Sequence, residues 1–425
     1  MATKRRPGPK RTPVLVRALA RIEPDADDSP LGSPCWRFRG ESRRGRAVIG
    51  DRDGAPRSVV RILYDALIEK VAPRARLRSA CGRTSCCNPL HRRVVGALAL
   101  ACLLATPSLA SQPTIVLIVA DDMAVSDLAA TPSIRSIAER GASFDAALTP
   151  FPLCSPSRTS LLTGLAPRTH GVYANDAALF DPSWPTLGTR LGAAGYRTAL
   201  IGKLLNRVHN LRAPLGGWDE YRPLAKHSDF ESDQSTVLAN RASNFLRDAA
   251  RDGVPAFVYL APVAPHGPNR GPSPECDAPT MLPQDGTVDD RTWFRRMSSL
   301  CGLDRLVEKI DRVAGPDAYV VVLSDNGWMQ SNGRTGKHET VLGAVRVPLA
   351  IRGPGIAAGR VREEIVTLMD VHATVLALAG VAPSGDGRSL TQLLGVDAND
   401  EPEPWTPTVV IESVPPTGLA RRGGR

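Results

Sequence analysis

Two carboxylates, Asp121 and Asp122, end the apolar run "TIVLIVA" (114–120), and the pair Asp325 and Asn326 ends a second run, "AYVVVLS" (318–324). Together they offer four hard oxygen donors. Such donors suit Ca²⁺ or Mg²⁺, whereas zinc prefers nitrogen and sulfur. Lys203 follows "RTALIG" (197–202), and His266 follows "AFVYLAP" (256–262). Cys154 lies in "FPLCSPSRTSLLTG" (151–164), among prolines, hydroxyls and an arginine. Pro156 suits the first turn of a helix running to Gly164. Cys154 would then sit at a helix N-terminus, where the dipole and free N–H groups favour negative charge. A thiolate nucleophile fits that place, and so does any other anionic group that meets a metal or an oxyanion. Taken singly, Asp121 also fits a helix cap, Asp325-Asn326-Gly327 a turn, and Cys154 a small buried hydrophobe.

These residues need elements to bring them together. The run 114–120 is continuously apolar and rich in β-branched residues, the pattern of a buried parallel strand. The stretches 197–202, 256–262, 318–324 and 347–353 read as further strands. "TPSIRSIAERG" (131–141) has a threonine cap, a proline at the first helical position and a terminal glycine, and "DVHATVLALAG" (370–380) reads as a helix ending at Gly380. Strands alternating with helices predict an α/β fold with a mostly parallel central sheet flanked by helices. In open sheets of this kind, ligands bind beyond the carboxyl ends of the strands. Each polar group named above follows such an end, apart from Cys154. Adjacent residues of a regular strand point to opposite faces, so Asp121 and Asp122 converge on one ion only where the strand has frayed.

"CSPSR" followed by "TSLLTG" resembles the signature of the type I sulfatases of the alkaline phosphatase superfamily, and further segments resemble that family in order between about residues 113 and 412. They are "IVLIVADDM", "GYRTALIGKLLN", "APVAPHGP", "VVVLSDNGW" and "GKHETVLGAVRVPLAIRGPG". The resemblance implies that Cys154 is oxidised by a formylglycine-generating enzyme to formylglycine, whose hydrated diol attacks sulfur and binds the metal. It implies that Arg158 holds the diol, and that Lys203, His266 and Lys337 grip the sulfate and assist the leaving oxygen. Asp121, Asp122, Asp325 and Asn326 would hold Ca²⁺, with Mg²⁺ as the alternative. The substrate would be a sulfated small molecule or glycan. "GKLLN" resembles the N-acetylglucosamine-6-sulfatase branch, which brings Asn206 towards the pocket, and His209 is a further polar candidate by spacing. That branch tends to carry a histidine soon after Asp-Asn-Gly, where this chain has Trp328 and Met329. Family members continue after a stretch like "VVIESV" into a smaller antiparallel subdomain; here Arg425 is the last residue, so that subdomain reads as truncated. The runner-up reading is a phosphonate or phosphate monoester hydrolase of the same superfamily.

The charge divides the chain. Of 425 residues with a net charge of +10, residues 1–93 hold 22 Lys and Arg against 9 Asp and Glu, and the remainder is slightly acidic. A small basic segment suggests a polyanion partner such as nucleic acid, and a near-neutral remainder with a sizeable core suggests an enzyme. "CWRFRG" (35–40) with 61–93 resembles a phage-type HNH endonuclease module: Cys81, Cys86 and His91, with Cys35, would hold Zn²⁺ or a nuclease metal. The first histidine of that signature is Ser79, so the module reads as degenerate, with weak nucleic-acid binding as its remaining activity; an unfolded leader is the alternative. Arg92 and Arg93 precede an apolar run of about a dozen residues, and Ser108-Leu109-Ala110 is a small-residue cleavage pattern. This segment reads as an export signal, as an uncleaved membrane anchor (94–110) with the basic part inside, or as a linker helix. The expected divisions are a disordered leader (1–34), the HNH-like module (35–93), the signal-like segment (94–111), a sulfatase catalytic domain (112–412) and a tail (413–425). Such a protein would be secreted, periplasmic or membrane-anchored. Cys276 and Cys301 would be free to pair outside the cytoplasm.

Overall fold

The computed structural model describes residues 112–224, 234–267, 290–328, 337, 339–396, 404–405 and 409–413, with the backbone of short strands at 20–22, 38–40, 330–331 and 334–335. Cys35, Ser79, Cys81, Cys86, His91, Cys276 and the segment 94–111 lie outside the described residues. So do the HNH-like, nucleic-acid and anchoring expectations that rest on them. In the basic segment, Ala20–Ile22 pairs antiparallel with Phe38–Gly40, across the expected border at residue 34. No helix among the described residues is long and apolar enough to cross a membrane.

Eight strands build the central sheet: β1 (Ile115–Ala120), β2 (Ala142–Phe144), β3 (Arg197–Gly202), β4 (Glu220–Pro223), β5 (Ala256–Ala261), β6 (Tyr319–Ser324), β7 (Leu349–Arg352) and β8 (Arg360–Arg362). Their order is β8-β2-β7-β6-β1-β5-β3-β4. Only β7 runs against the rest, pairing antiparallel with both β6 and β2. All six residues of β1 are fully buried, because β5 and β6 flank its edges and helices cover both faces. The short strands β2, β4 and β8 escaped the sequence pattern. Two arginines flank the exposed Val361 in β8, and β4 is only half-buried, so neither carries the apolar run that marks a central strand.

The helices are α1 (Pro132–Glu139), α2 (Cys154–Thr163), α3 (Leu187–Ala193), α4 (Gln234–Arg251), α5 (Asp290–Ala314) and α6 (Leu368–Leu378). Alternate β1 side chains divide the core. Ile115, Leu117 and Val119 pack with α2, α3 and α6, whereas Val116 and Ile118 pack with α1, α4 and α5. Thr131 does not cap α1 as expected. Its hydroxyl donates to the Asp127 carbonyl, and Asp304 from α5 accepts from the N–H groups of Ser133 and Ile134 instead. A distant carboxylate thus replaces the local cap.

Gly202 brings the end of β3 against β5. Its φ is +109°, and a Cβ there would stand 2.1 Å from the Ala261 carbonyl oxygen. The next residue, Lys203, donates its N–H to that same oxygen at 2.7 Å. Helix α2 is fixed differently. All ten of its residues are buried although most are polar; Thr159 and Thr163 donate to carbonyls of the helix itself, and other groups bond outward. His170 accepts from the Val172 N–H through Nδ1, which leaves Nε2–H to donate to Ser160 Oγ at 3.0 Å. His372, on α6, donates from Nδ1 to the Leu161 carbonyl at 3.0 Å. Burial lowers both imidazoles to about 4.

Two expectations follow. Gly202→Ala should cost about 3 kcal/mol in urea unfolding, through clash and strain. Gly253→Ala, also at positive φ but with open space around the added Cβ, should cost about 1 kcal/mol. Because the unfolded histidines take up protons near pH 6.5 and the folded ones do not, stability is full above that pH. It is lost as the pH falls towards 4. His372→Gln should flatten that slope by about 1.4 kcal/mol per pH unit in unfolding measured between pH 7 and 4.

Candidate active site

The strand ends converge as the sequence pattern requires. Asp121 follows β1 and is tied to the β5 side by its N–H to the Ala264 carbonyl, 3.1 Å, and by a bridge to Pro265. Asp122 then turns into the left-handed region, with φ of +61°. Asp is among the few side chains that tolerate this conformation. That turn, rather than fraying, brings both carboxylates to one place. Asp121, Asp122, Cys154 and His266 offer ligand atoms that all lie within 4.8 Å of one another.

Charge pairs hold the group. Lys203 Nζ lies 2.5 Å from Asp121 Oδ2. Lys337 Nζ lies 2.9 Å from Asp122 Oδ2 and 3.2 Å from Cys154 Sγ. His266 Nε2 lies 3.6 Å from Asp122 Oδ2, and Cys154 Sγ lies 3.5 Å from Asp121 Oδ1. Arg158, fully buried on α2, donates from Nε to Asp325 Oδ2 at 2.8 Å and from Nη1 to the Lys203 carbonyl at 2.9 Å. Its Nη2 stands 3.8 Å from Asp121 Oδ1. Asp325 Oδ1 accepts from the N–H groups of Asp122 and Asn326, at 3.2 and 2.8 Å. Asn326 Nδ2 donates to Asp122 Oδ1 at 2.6 Å.

Three carboxylates therefore meet three permanent cations in a buried space. Burial opposes the charge of Asp121, but Lys203, His266, Arg158 and Lys337 outweigh it and hold the carboxyl well below the usual range. Burial pushes Asp325 upward, and Arg158 offsets part of that push. Burial disfavours the Lys337 ammonium too, yet Cys154, Asp122 and Asp121 raise it. Burial pushes the Cys154 thiol up to about 12. The thiolate expected at a helix N-terminus is thus overridden by desolvation: Cys154 as it stands is a protonated thiol at neutral pH. Its place is nevertheless the focus of the site, since its sulfur faces both Lys337 and Asp121.

The donor set suits a hard divalent cation. Asn326 Oδ1 is buried and has no hydrogen-bond partner, an acceptor left over beside the Asp121 and Asp122 carboxylates. Asp325 Oδ2 accepts from Arg158 Nε and keeps a lone pair for an ion, and His266 and Cys154 offer further donors within mutual reach of Asp121 and Asp122. A divalent ion added to three carboxylates and three cations gives the pocket a net positive charge, which favours an anionic ester.

Further residues frame Cys154. Ser155 donates its N–H to Asn175 Oδ1 at 2.9 Å, and its hydroxyl donates to Asn206 Oδ1 at 3.2 Å while accepting from the Asn206 N–H at 2.9 Å. Asn206 thus braces the rim beside the cysteine and is half-buried. His209 is exposed in the turn Val208–Asn210, and no hydrogen bond joins it to the site among the described residues. Sequence reasoning missed Asn175, because nothing in a polar loop residue marks its distant partner.

Comparison with known proteins agrees with this layout. The Sulfatase family profile matches residues 113–381. An extracellular sulfatase SULF-1 homolog of Drosophila melanogaster is 29% identical over 368 residues, covering 71% of this chain and 33% of the relative. The N-acetylglucosamine-6-sulfatase of Homo sapiens is 27% identical over 376 residues, covering 71% of this chain and 67% of that protein. The chain thus spans about a third of the first relative and two thirds of the second. Among solved structures, the phosphonate monoester hydrolase of Agrobacterium radiobacter superposes with a TM-score of 0.58 at 20% identity, over 69% of this chain and 79% of that one. That likeness is one of fold. A profile match over more than half the chain, spanning Asp121, Cys154, Lys203, His266 and Asp325, leads to one conclusion: the chain belongs to the sulfatase family.

Proposed function

We propose that this protein is a sulfuric ester hydrolase acting on sulfated sugars outside the cytoplasm, with Cys154 converted to formylglycine and Ca²⁺ held by Asp121, Asp122, Asp325 and Asn326; Mg²⁺ is the alternative ion. The observation that carries the reading is the meeting of Cys154 Sγ with Lys337 Nζ and Asp121 Oδ1 at the N-terminus of a buried helix. Bound there, the cation would polarise a sulfate oxygen and the formylglycine diol would supply the attacking hydroxyl. The chain's own residues do the rest. Lys337 and Lys203 neutralise the incoming sulfate, and His266 stands on the same side, able to pass a proton to the leaving oxygen. Arg158, locked by Asp325, fixes the first turn of α2, so the reacting atom cannot drift.

The relatives' names support the substrate class and the compartment: one is an extracellular sulfatase homolog, the other an N-acetylglucosamine-6-sulfatase. The disulfide-bonded state of Cys301 supports the compartment as well. A phosphonate or phosphate monoester hydrolase is the second reading, favoured by the shared fold of the Agrobacterium radiobacter enzyme.

Co-expression with a formylglycine-generating enzyme should lower the mass of the peptide holding Cys154 by about 18 units, as thiol becomes aldehyde. Cys154→Ala should retain the fold by circular dichroism and lose about 10³-fold or more in kcat on p-nitrophenyl sulfate. Undiminished turnover in that variant would remove Cys154 from the chemistry. Turnover of phosphate or phosphonate esters far above that of sulfate esters would favour the second reading. Chelation should abolish activity and lower Tm, and added Ca²⁺ should restore both; activity indifferent to chelator would rule out the metal.

A further inference from the structure

A second cluster lies behind the site, on the far side of Asp122. The Asp122 carbonyl accepts from Arg296 Nη2 at 3.0 Å. Arg296, on α5, is only 3% exposed. The same Nη2 ion-pairs with Asp127 Oδ2, and the guanidinium carbon lies 3.9 Å above the Trp328 ring. Asp127 Oδ2 also accepts from the Ala124 N–H at 2.8 Å, closing the turn that follows Asp122. Trp328 stands two residues after Asn326, whose Nδ2 holds Asp122 Oδ1.

One guanidinium therefore touches both loops that carry the oxygen donors. It reaches the Asp121–Asp122 loop through a carbonyl and the Asp325–Asn326 loop through the face of Trp328. Its charge is matched by Asp127, so what it gives the site is geometry rather than field. The geometry matters because Asp122 sits at φ +61°, a conformation that costs of order 1–3 kcal/mol and persists only where the surroundings impose it. Carbonyl capture by a fixed donor is such a constraint, and a planar guanidinium stacked on an indole is held in orientation on two sides.

We propose that Arg296 is a positioning residue for the cation site: it locks the left-handed turn at Asp122 and couples that loop, through Trp328, to the loop of Asp325 and Asn326. The inference rests on the divalent-cation reading above. Residues that orient metal ligands commonly change affinity by 10- to 100-fold when replaced. In the full chain, Arg296→Gln should weaken Ca²⁺ binding by that factor in calorimetric titration. It should also lower kcat on p-nitrophenyl sulfate with KM changed by less than about threefold, and raised Ca²⁺ should recover part of the rate. Arg296→Lys should recover little, because an ammonium cannot stack on Trp328 and bond a carbonyl in the same plane. Trp328→Leu, which leaves no charge unpaired, should weaken Ca²⁺ binding by about threefold or more and serves should Arg296→Gln not fold. A folded Arg296→Gln, or in its place Trp328→Leu, that binds Ca²⁺ as tightly as the parent overturns the proposal. A parent chain that binds neither Ca²⁺ nor Mg²⁺ overturns the cation reading and this one with it.

Discussion

The pairing of Arg158 with Asp325 is the constraint around which the domain is arranged. Both side chains are fully buried, and an isolated buried charge costs far more than a fold of this kind can spare. The two must therefore meet, which ties α2 to the end of β6. Asp325 in turn accepts from the Asp122 N–H, and Arg158 donates to the Lys203 carbonyl. One ion pair thus sets the relative positions of β1, β3, β6 and α2, the elements that carry most of the site. Replacing a single partner leaves the other charged and unanswered, so the pair resists piecemeal change.

The site is a charge-balanced cluster rather than a field of one sign. Each carboxylate lies against a lysine, an arginine or the amide of Asn326, and each cation against a carboxylate. This balance allows so many ionised groups to share a dry interior. It also means that an arriving anion competes with Asp121 and Asp122 for Lys203 and Lys337, and that a divalent cation on the carboxylates would free those lysines for it. A cation and an ester bound there would therefore favour one another through shared partners.

Much of this was legible beforehand. The runs at 115–120, 197–202, 256–261 and 319–324 are buried on both faces, so their apolar pattern is unbroken and their polar termini stand out. Gly164, in the left-handed region at φ +74°, ends α2 where the glycine pattern placed it. The edge strands β4 and β8 did not show, because strands that face solvent or are interrupted by arginine carry no such run. Lys337 was visible only through family resemblance: it lies on an irregular stretch after a short hairpin, where spacing says nothing. Arg296 and Asn175 were invisible for a different reason. Each meets residues far away in sequence, Asn175 the Ser155 N–H and Arg296 the Asp122 carbonyl, Asp127 and the Trp328 ring, and no local pattern records such contacts.

Cys154 has no exposed surface. Its chain neighbours Phe151 and Leu153 and every residue of α2 are buried as well. Another protein cannot reach its sulfur once α2 has docked, because the helix lies wholly inside and opening it would break the Arg158–Asp325 pair. Any enzyme that alters this side chain must work in a window of time, after the stretch 151–164 is made and before the sheet closes over it. For the proposed conversion of Cys154, the rate of that closure, rather than the affinity of a folded surface, would set its extent.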